Sequence, residues 1–269
     1  MNHLIYLVFD SCRFDSFAAA QTPHLSRLGT ASRRFSYASW TLPSHHAYCM
    51  GAVPHINQRG VFASAGYKKD FLKWSERLGI SDVSFKGFIP QLSLPCFLKS
   101  VGYKTHALVS MPVLNQMTVL NQYFDRYALM DDFNDFGAMI ERLEFGDEPS
   151  FHLCNIGETH YPFTVKGEHV ADNELLFGAK GVFRHSGDSA VPYSGEAHEF
   201  DCRDSTVNEQ YFFSDRMDGL RRKQIANVSH LDRLCGELFA RVPPNTYVIA
   251  TADHGELFGE SGFFGHGPI

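Results

Sequence analysis

The sequence lacks internal repeats, low-complexity tracts and any apolar run long enough to cross a bilayer. A membrane-spanning helix needs about 20 mostly apolar residues, and the apolar run at 4–9 is far shorter. The first residues also lack the basic segment and the small-residue cleavage site of a secretory signal. From these absences we expect a cytoplasmic protein without a membrane anchor.

Paired cysteines are also missing. The six cysteines are widely and irregularly spaced, no CxxC pair occurs, and several fall within apolar runs. This spacing favours buried free thiols in a reducing compartment over a disulfide framework. The cysteines are Cys12, Cys49, Cys96, Cys154, Cys202 and Cys235.

An excess of positive charge is absent as well, because the formal net charge is −6. That value argues against a nucleic-acid or anionic-membrane surface, although a local basic pocket stays compatible with it. The 269 residues are enough for one large domain with a sizeable core. We therefore expect a globular domain that does not bind nucleic acid.

The end of the chain carries the most informative stretch. Tyr247–Ala250 is a short apolar run with the pattern of a strand buried on both faces. Asp253 and His254 follow it, at the carboxyl end of the strand, where open α/β sheets bind ligands. A carboxylate and an imidazole on one turn can share a divalent metal. The alternative is a solvated turn with a capping Asp.

A second carboxylate follows the first predicted strand in the same way. Leu4–Phe9 is an apolar run that ends at Asp10. If this strand and the strand before Asp253 are neighbours, both carboxylates can bind one ion. The alternative is that Asp10 caps the next helix. Arg13 is a candidate to bind substrate phosphate or, alternatively, to pin Asp10.

The segment TLPSHH predicts the start of a helix. Pro43 suits the first helical turn, where its missing N–H costs nothing. Thr41 then lies just before the N-terminus, where exposed N–H groups and the helix dipole favour anions and an ionised alkoxide. The alternative is a plain Thr N-cap. Upstream we expect a short helix at 23–28 and a short strand at 35–38.

The order of these motifs resembles that of the sulfatase branch of the alkaline phosphatase superfamily, and the resemblance runs from end to end. It includes the strand before Asp10, the segments TPHLSRL, TLPSH, GYKT, FDRY and THYPF, a helix that carries Asp232, and the closing stretch 251–267. It implies a three-layer α/β/α sandwich with a largely parallel, mixed central sheet, formed by a single domain over 1–269. Asp232 is expected to be structural.

The resemblance also implies the metal site. Asp10, Asp253 and His254 take the positions of metal ligands, and Thr41 takes the nucleophile position, where it also contacts the metal. Ser11 replaces a second acidic ligand of sulfatases. Mixed nitrogen and oxygen ligands favour Zn²⁺ or Mn²⁺ over Ca²⁺, with Mg²⁺ or Ca²⁺ as alternatives. We expect one ion rather than two.

Four further residues are implied to contact the substrate. His160 and His266 match histidines that face the transferred group, which makes them catalytic and substrate-binding candidates. His45 stands where sulfatases carry an Arg behind the nucleophile, and Arg13 is the fourth. The substrate implied is a small anionic ester.

Departures from sulfatases point to phosphate chemistry. Sulfatases oxidise Cys or Ser to formylglycine, and Thr41 cannot give that aldehyde. The pattern is closer to that of phosphoethanolamine transferases and lipoteichoic acid synthases, which are membrane-anchored enzymes outside the cytosol. We therefore expect a metal-dependent hydrolase or transferase of phosphate mono- or diesters. The alternatives are a sulfuryl-transfer enzyme, a phosphomutase and a catalytically inactive binding module.

Two regions differ from the usual family pattern. At 166–218 periodicity is poor, and a long segment of this kind in a compact domain predicts a lid or substrate-selecting insertion. Family members also continue into a small C-terminal subdomain, whereas this sequence stops at Ile269, either as a minimal chain or as a fragment. The site is then open or completed by a partner chain, and a homo-oligomer is compatible with this. An amphipathic helix is predicted from Asp218.

Overall fold

A computed structural model describes residues 2–51, 93–170, 182–184, 213–260 and 263–267, with scattered positions between 69 and 79. Its centre is a five-stranded sheet with the order β3-β2-β4-β1-β6, in which every pair of neighbours is parallel. The strands are β1 (His3–Phe9), β2 (Lys104–Val109), β3 (Arg126–Leu129), β4 (Ser150–Ile156) and β6 (Thr246–Ala252).

Helices cover both faces of this sheet. On one face Ile5 and Leu7 of β1 pack with Leu231, and on the other face Val8 packs with Cys49. Side chains that alternate along one strand therefore enter two different cores. This is the predicted three-layer α/β/α sandwich. The helices are α1 (Phe14–Ala19), α2 (Thr41–Met50), α3 (Leu94–Ser100), α4 (Phe136–Glu141) and α5 (Ser214–Arg241).

The central strands confirm the prediction made from apolar runs, and the last one does not. All seven residues of β4 are buried between the two helical layers. In contrast, β6 pairs only with β1 among the described residues, and the side chains of Tyr247 and Ile249 are 64% and 49% exposed. The prediction that this strand is buried on both faces is therefore wrong. An apolar run alone does not distinguish an edge strand from a central one.

Helix α5 confirms the predicted amphipathic helix, although it begins four residues before Asp218. Its Asp232 carboxylate accepts hydrogen bonds from the backbone N–H groups of His24 (3.1 Å) and Leu25 (2.7 Å). These bonds cap a single 3₁₀ turn, Leu25–Arg27, where a short helix was predicted. The structural role predicted for Asp232 is confirmed.

The strand predicted at 35–38 is not present. Residues 31–36 form no regular element, and the Phe35 side chain is 81% exposed. Among the described residues, no strand pairs with this segment. The local pattern was therefore insufficient here.

One short strand before α5 and two short strands after β6 form a small antiparallel sheet. It contains β5 (Val182–Arg184), β7 (Leu257–Phe258) and β8 (Phe263–Gly265) in the order β5-β8-β7. Phe258 and Phe264 of this sheet pack with Phe163 and Met217. This packing fixes the segment that leads to His266. The lid predicted at 166–218 lies largely outside the described residues.

The cysteines agree with the sequence prediction of free thiols. The five cysteines in the described part of the chain are free, and four of them are buried. Cys202 lies outside the described residues. Over the same part of the chain, no helix combines the length and the apolar character needed to span a membrane.

Candidate active site

The site lies at the carboxyl ends of the neighbouring strands β1 and β6. In their parallel register Phe9 is level with Ala252, so Asp10 and Asp253 leave the sheet side by side. Both carboxylates are buried. The solvated turn considered for Asp253 is therefore wrong. The capping role considered for Asp10 is also wrong, because Arg13 occupies the N-cap of α1.

The Thr41 side chain lies in the same cluster as the two carboxylates and is supplied by helix α2. Thr41 is the first residue of α2, and Trp40 occupies the N-cap position without a side-chain bond. The Thr41 hydroxyl lies 3.4 Å from Asp10 Oδ1 and 3.3 Å from His254 Nε2. A plain N-cap role for Thr41 is therefore wrong, and the helix begins one residue earlier than expected. The hydroxyl faces the acidic cluster instead of its own helix.

The spacing of four side-chain atoms fits a shared divalent ion. His254 Nε2 lies 3.3 Å from Asp253 Oδ2 and 3.7 Å from Asp10 Oδ1. Such separations are long for direct hydrogen bonds. They are close to the separation of about 3.3–3.6 Å between tetrahedral ligands placed 2.0–2.2 Å from zinc. Asp10, Asp253 and His254 form the one such group of potential ligands among the described residues.

Neighbouring groups orient each potential ligand. Asn155 donates a hydrogen bond to Asp10 Oδ2 (2.8 Å), and the backbone N–H groups of Ser11 and His254 donate to Asp253 Oδ1 (3.1 and 2.9 Å). The Nδ1 atom of His254 donates to the Gly255 carbonyl at 2.9 Å, which leaves Nε2 for the cluster. Asp253 Oδ2 is buried and has no hydrogen-bond partner. A bound cation would satisfy that oxygen.

The two carboxylates affect each other electrostatically. Burial, followed by the negative charge of Asp10, raises the pKa of Asp253 well above its usual value. Burial also opposes ionisation of Asp10, but His160, His254 and the Asn155 hydrogen bond together lower the pKa of Asp10. Two adjacent buried carboxylates with opposite shifts are typical of a site that needs a cation for both to ionise.

The two histidines predicted to face the transferred group lie beside this cluster. The ring of His266 is 4.4 Å from that of His254 and 4.9 Å from that of His160, measured between centroids. His160 Nδ1 donates to the Tyr161 carbonyl. Burial, with the charges of His254 and His160, holds the pKa of His266 well below its usual value. Their contact with substrate stays a prediction.

His45 lies behind Thr41, as the resemblance implied. Its Nδ1 donates to the Thr41 carbonyl oxygen at 2.8 Å and is 3.8 Å from Asp253 Oδ2. The imidazole is completely buried, and burial lowers the pKa of His45 to about 4. His45 is therefore held neutral against the backbone of α2. Its substrate-binding role stays a prediction.

Arg13 is held by neighbouring acidic groups. Its guanidinium forms two hydrogen bonds of 2.8 Å with Asp15, pairs with Glu260 and donates to the Glu256 carbonyl at 3.2 Å. The alternative in which Arg13 pins Asp10 is therefore not observed. These contacts tie the segment after His254 to the start of α1.

Three residues of the site carried no predicted role. Ser11 adopts a left-handed backbone with φ 60°, and its hydroxyl donates to Asp10 Oδ1 at 3.2 Å. Asn155 is the last residue but one of β4, level with Val8 of β1, and a polar residue at this end of a buried strand was the available signal. Glu256 stands two residues after His254, and its burial raises its pKa to about 7. A polar side chain at the end of each buried strand could have identified Asn155.

Comparisons with known proteins agree with this architecture. No family model and no curated protein matches the chain. Among solved structures, BT4656 in complex with its substrate D-glucosamine-2-N,6-O-disulfate is similar, with a TM-score of 0.52 and 15% identity over 98% of this chain and 67% of that one.

Two further structures are similar at lower scores. A protein in the alkaline phosphatase superfamily from Vibrio parahaemolyticus has a TM-score of 0.45 and 15% identity over 96% of this chain. The C-terminal periplasmic domain of phosphoethanolamine transferase EptC from Campylobacter jejuni has a TM-score of 0.46 and 12% identity over 99% of this chain and 73% of that one. The chain spans 56% of the length of the Vibrio protein. The likeness to BT4656 and the observed layers confirm the predicted three-layer α/β/α fold, and at 15% identity that likeness concerns the fold alone.

Proposed function

We propose that the protein is a metal-dependent enzyme that transfers or hydrolyses the phosphoryl group of a small phosphate ester. The observation that carries this proposal is the position of the Thr41 hydroxyl, 3.4 Å from Asp10 Oδ1 and 3.3 Å from His254 Nε2 in a buried cluster. A hydroxyl placed among potential metal ligands at a helix N-terminus is suited to nucleophilic attack. Thr41 is the proposed nucleophile.

The proposed metal ligands are Asp10, Thr41, Asp253 and His254. One divalent ion, Zn²⁺ or Mn²⁺, suits this mixture of carboxylate, hydroxyl and imidazole. Such an ion would acidify the Thr41 hydroxyl and offset negative charge on the phosphoryl group. The orphaned Asp253 Oδ2 supports this assignment.

The chain's own residues then carry out a two-step transfer. The Thr41 hydroxyl gives up its proton and its oxygen forms a bond to phosphorus while the bond from phosphorus to the ester oxygen breaks, and the ester oxygen takes up one proton and leaves as the alcohol. The N-terminus of α2, His160 and His266 stabilise the charge on the phosphoryl oxygens. Water, or an acceptor alcohol in a transferase, then attacks phosphorus, and the Thr41 oxygen is released.

The second candidate is sulfate-ester cleavage. It is favoured by one comparison, because BT4656, which has the same fold, was solved with a sulfated sugar as substrate. It is disfavoured by Thr41, which cannot be oxidised to the aldehyde that sulfatases use. A catalytically inactive binding module is the third candidate, and the convergence of four candidate ligands, one of which is also the proposed nucleophile, argues against it.

A substrate screen tests the proposed function. The purified protein is loaded separately with Zn²⁺, Mn²⁺ and Mg²⁺ and assayed with 4-nitrophenyl phosphate, bis(4-nitrophenyl) phosphate and 4-nitrophenyl sulfate. We expect metal-dependent release of nitrophenol from a phosphate ester. Faster turnover of the sulfate would favour the second candidate, and no turnover with bound metal would favour the third. A small anionic ester as partner, a homo-oligomer and a cytoplasmic location belong to the same proposal.

A further inference from the structure

Glu256 is a buried carboxylate that contacts His266. Both of its oxygens lie within hydrogen-bond distance of His266 Nδ1, at 3.1 and 3.2 Å. Its side chain is fully buried, whereas that of His266 is 16% exposed. A buried carboxylate is retained only when polar partners compensate for its desolvation. His266 is its side-chain partner in the described structure.

The small sheet sets the two residues opposite each other. Strands β7 and β8 are antiparallel, with Leu257 level with Gly265, so Glu256 and His266 are the next facing pair beyond the ladder. Arg13 fixes the other side of this segment by donating to the Glu256 carbonyl. The backbone therefore places Glu256 against His266 with little freedom.

The contact engages one specific nitrogen of the imidazole. Nδ1 of His266 faces Glu256, and a weaker contact of 3.4 Å joins Nδ1 to the Ser11 hydroxyl. Nε2 is therefore the nitrogen left for the cluster of His160, His254 and Asp10. Without an acceptor at Nδ1 the ring can rotate or exchange tautomers, and a partner carboxylate prevents both.

We propose that Glu256 is a positioning residue that holds the His266 imidazole by Nδ1 and so presents Nε2 to the transferred phosphoryl group. This role rests on the proposed function, in which His266 contacts that group. Glu256 itself does not touch the substrate. Its effect on the rate is transmitted through His266 alone.

The variants Glu256→Gln and Glu256→Leu separate this role from simple burial. The Gln amide oxygen can still accept a hydrogen bond from Nδ1, whereas Leu cannot. With a phosphate ester that the substrate screen shows to be turned over, we expect Glu256→Leu to lower kcat about 10- to 100-fold, the range typical for loss of a carboxylate that orients a functional histidine. Glu256→Gln should keep most of the activity, and bound metal should stay unchanged in both. Glu260→Gln, on the same segment but paired with Arg13, is the matched control and should stay near wild type.

A double-mutant cycle with His266→Ala gives the decisive kinetic result. If Glu256 acts through His266, adding Glu256→Leu to His266→Ala should lower kcat by less than about twofold, because the effects of residues that act as a unit are not additive. A second loss as large as the first would overturn the proposal. Equal loss in Glu256→Gln and Glu256→Leu would overturn it as well.

A spectroscopic measurement separates failure of this proposal from failure of the proposed function. In protein labelled with ¹⁵N-histidine, the His266 ring is assigned from the His266→Ala spectrum. We expect wild type and Glu256→Gln to keep the proton on Nδ1 and Glu256→Leu to change the nitrogen shifts of this ring. Absence of turnover in wild type would reject the enzyme assignment, yet these spectra would still decide the contact. Unchanged His266 shifts in Glu256→Leu would overturn it.

Discussion

The hydroxyl oxygen of Thr41 lies 3.3 Å from Nε2 of His254, although the two residues are 213 positions apart in the chain. The contact exists because α2 begins beside the point where β1 and β6 end, and His254 follows β6 directly. A proposed nucleophile and a proposed metal ligand thus share one buried cluster.

The first prediction concerns metal binding. Asp253→Ala removes the carboxylate whose Oδ2 has no hydrogen-bond partner, so we expect bound Zn²⁺ or Mn²⁺ to fall at least about tenfold by elemental analysis. Asp232→Asn is the control, because this buried carboxylate caps a 3₁₀ turn far along α5. The control should keep its metal. Equal metal content in wild type and Asp253→Ala would refute the ligand assignment.

The second prediction concerns the division of labour among histidines. His160→Ala and His266→Ala should each lower kcat on the order of a hundredfold, as expected for loss of one group that stabilises charge on the transferred group. Bound metal should persist in both variants. His230→Ala, on α5 and in contact with Arg233, should not change the rate. Loss of metal from either of the first two variants would instead make that residue a ligand and favour a two-metal site.

A third prediction concerns Asn155, which joins Asp10 to the loop after β2. Its amide oxygen accepts from the backbone N–H groups of Ser110 and Met111, and its Nδ2 donates to Asp10 Oδ2. Asn155→Ala should weaken metal affinity about 10- to 100-fold, measured by competition with a chelating dye, because Asp10 loses its orienting donor. Asn227→Ala removes another buried amide and should leave metal affinity unchanged. Similar affinities in both variants would contradict the orienting role.

The fourth prediction concerns the dependence of stability on pH. Burial raises the pKa of Glu158 to about 7, while one of its oxygens accepts from the Phe136 N–H group and the other has no partner. Because the folded state binds this proton more tightly than the unfolded state, the stability contributed by Glu158 is complete below about pH 4 and is lost as the pH rises through 7.

Glu158→Gln keeps an acceptor for the Phe136 N–H group and removes the charge. The variant should therefore be more stable than wild type at pH 8, by up to about 3 kcal/mol, and similar to it at pH 4.5. Urea unfolding at both pH values measures the difference. A constant difference between variant and wild type across this range would show that the carboxyl of Glu158 does not titrate as described.

The sequence predicted a site residue correctly where its position depends only on the strand directly before it. The apolar runs before Asp10 and Asp253 predicted two strands, and parallel pairing brought the two carboxylates level. The exposure of β6 could not be predicted, because edge position depends on which other strands pair with it. The strand predicted around Phe35 failed for the same reason, because a strand forms only where another strand pairs with it, and Phe35 is exposed instead.

Contacts between residues that are far apart in the chain could not be predicted from the sequence. Nothing local indicates that Glu256 faces His266, because their pairing arises from the antiparallel register of β7 and β8. Nothing local indicates that Arg13 also pairs with Glu260, which is 247 positions away in the chain. The residues of the cluster could be predicted from the sequence. The residues that hydrogen-bond to them could be identified only from the folded structure.

The fifth prediction concerns the side chain of Thr41, the proposed nucleophile. Thr41→Ser keeps a hydroxyl and should retain substantial activity. Thr41→Ala should abolish turnover of a phosphate ester while the fold and most of the bound metal persist. Turnover near that of wild type in Thr41→Ala would reduce Thr41 to a structural residue.

Mass spectrometry of the quenched enzyme tests whether Thr41 becomes covalently phosphorylated. Wild-type protein is mixed with a phosphate ester under conditions of slow release, quenched in acid and digested. We expect a phosphate adduct on the peptide that contains Thr41, absent in Thr41→Ala and formed on the new hydroxyl in Thr41→Ser. Rapid ester cleavage by wild type with no adduct on that peptide, when release is slower than cleavage, would contradict a covalent Thr41 nucleophile.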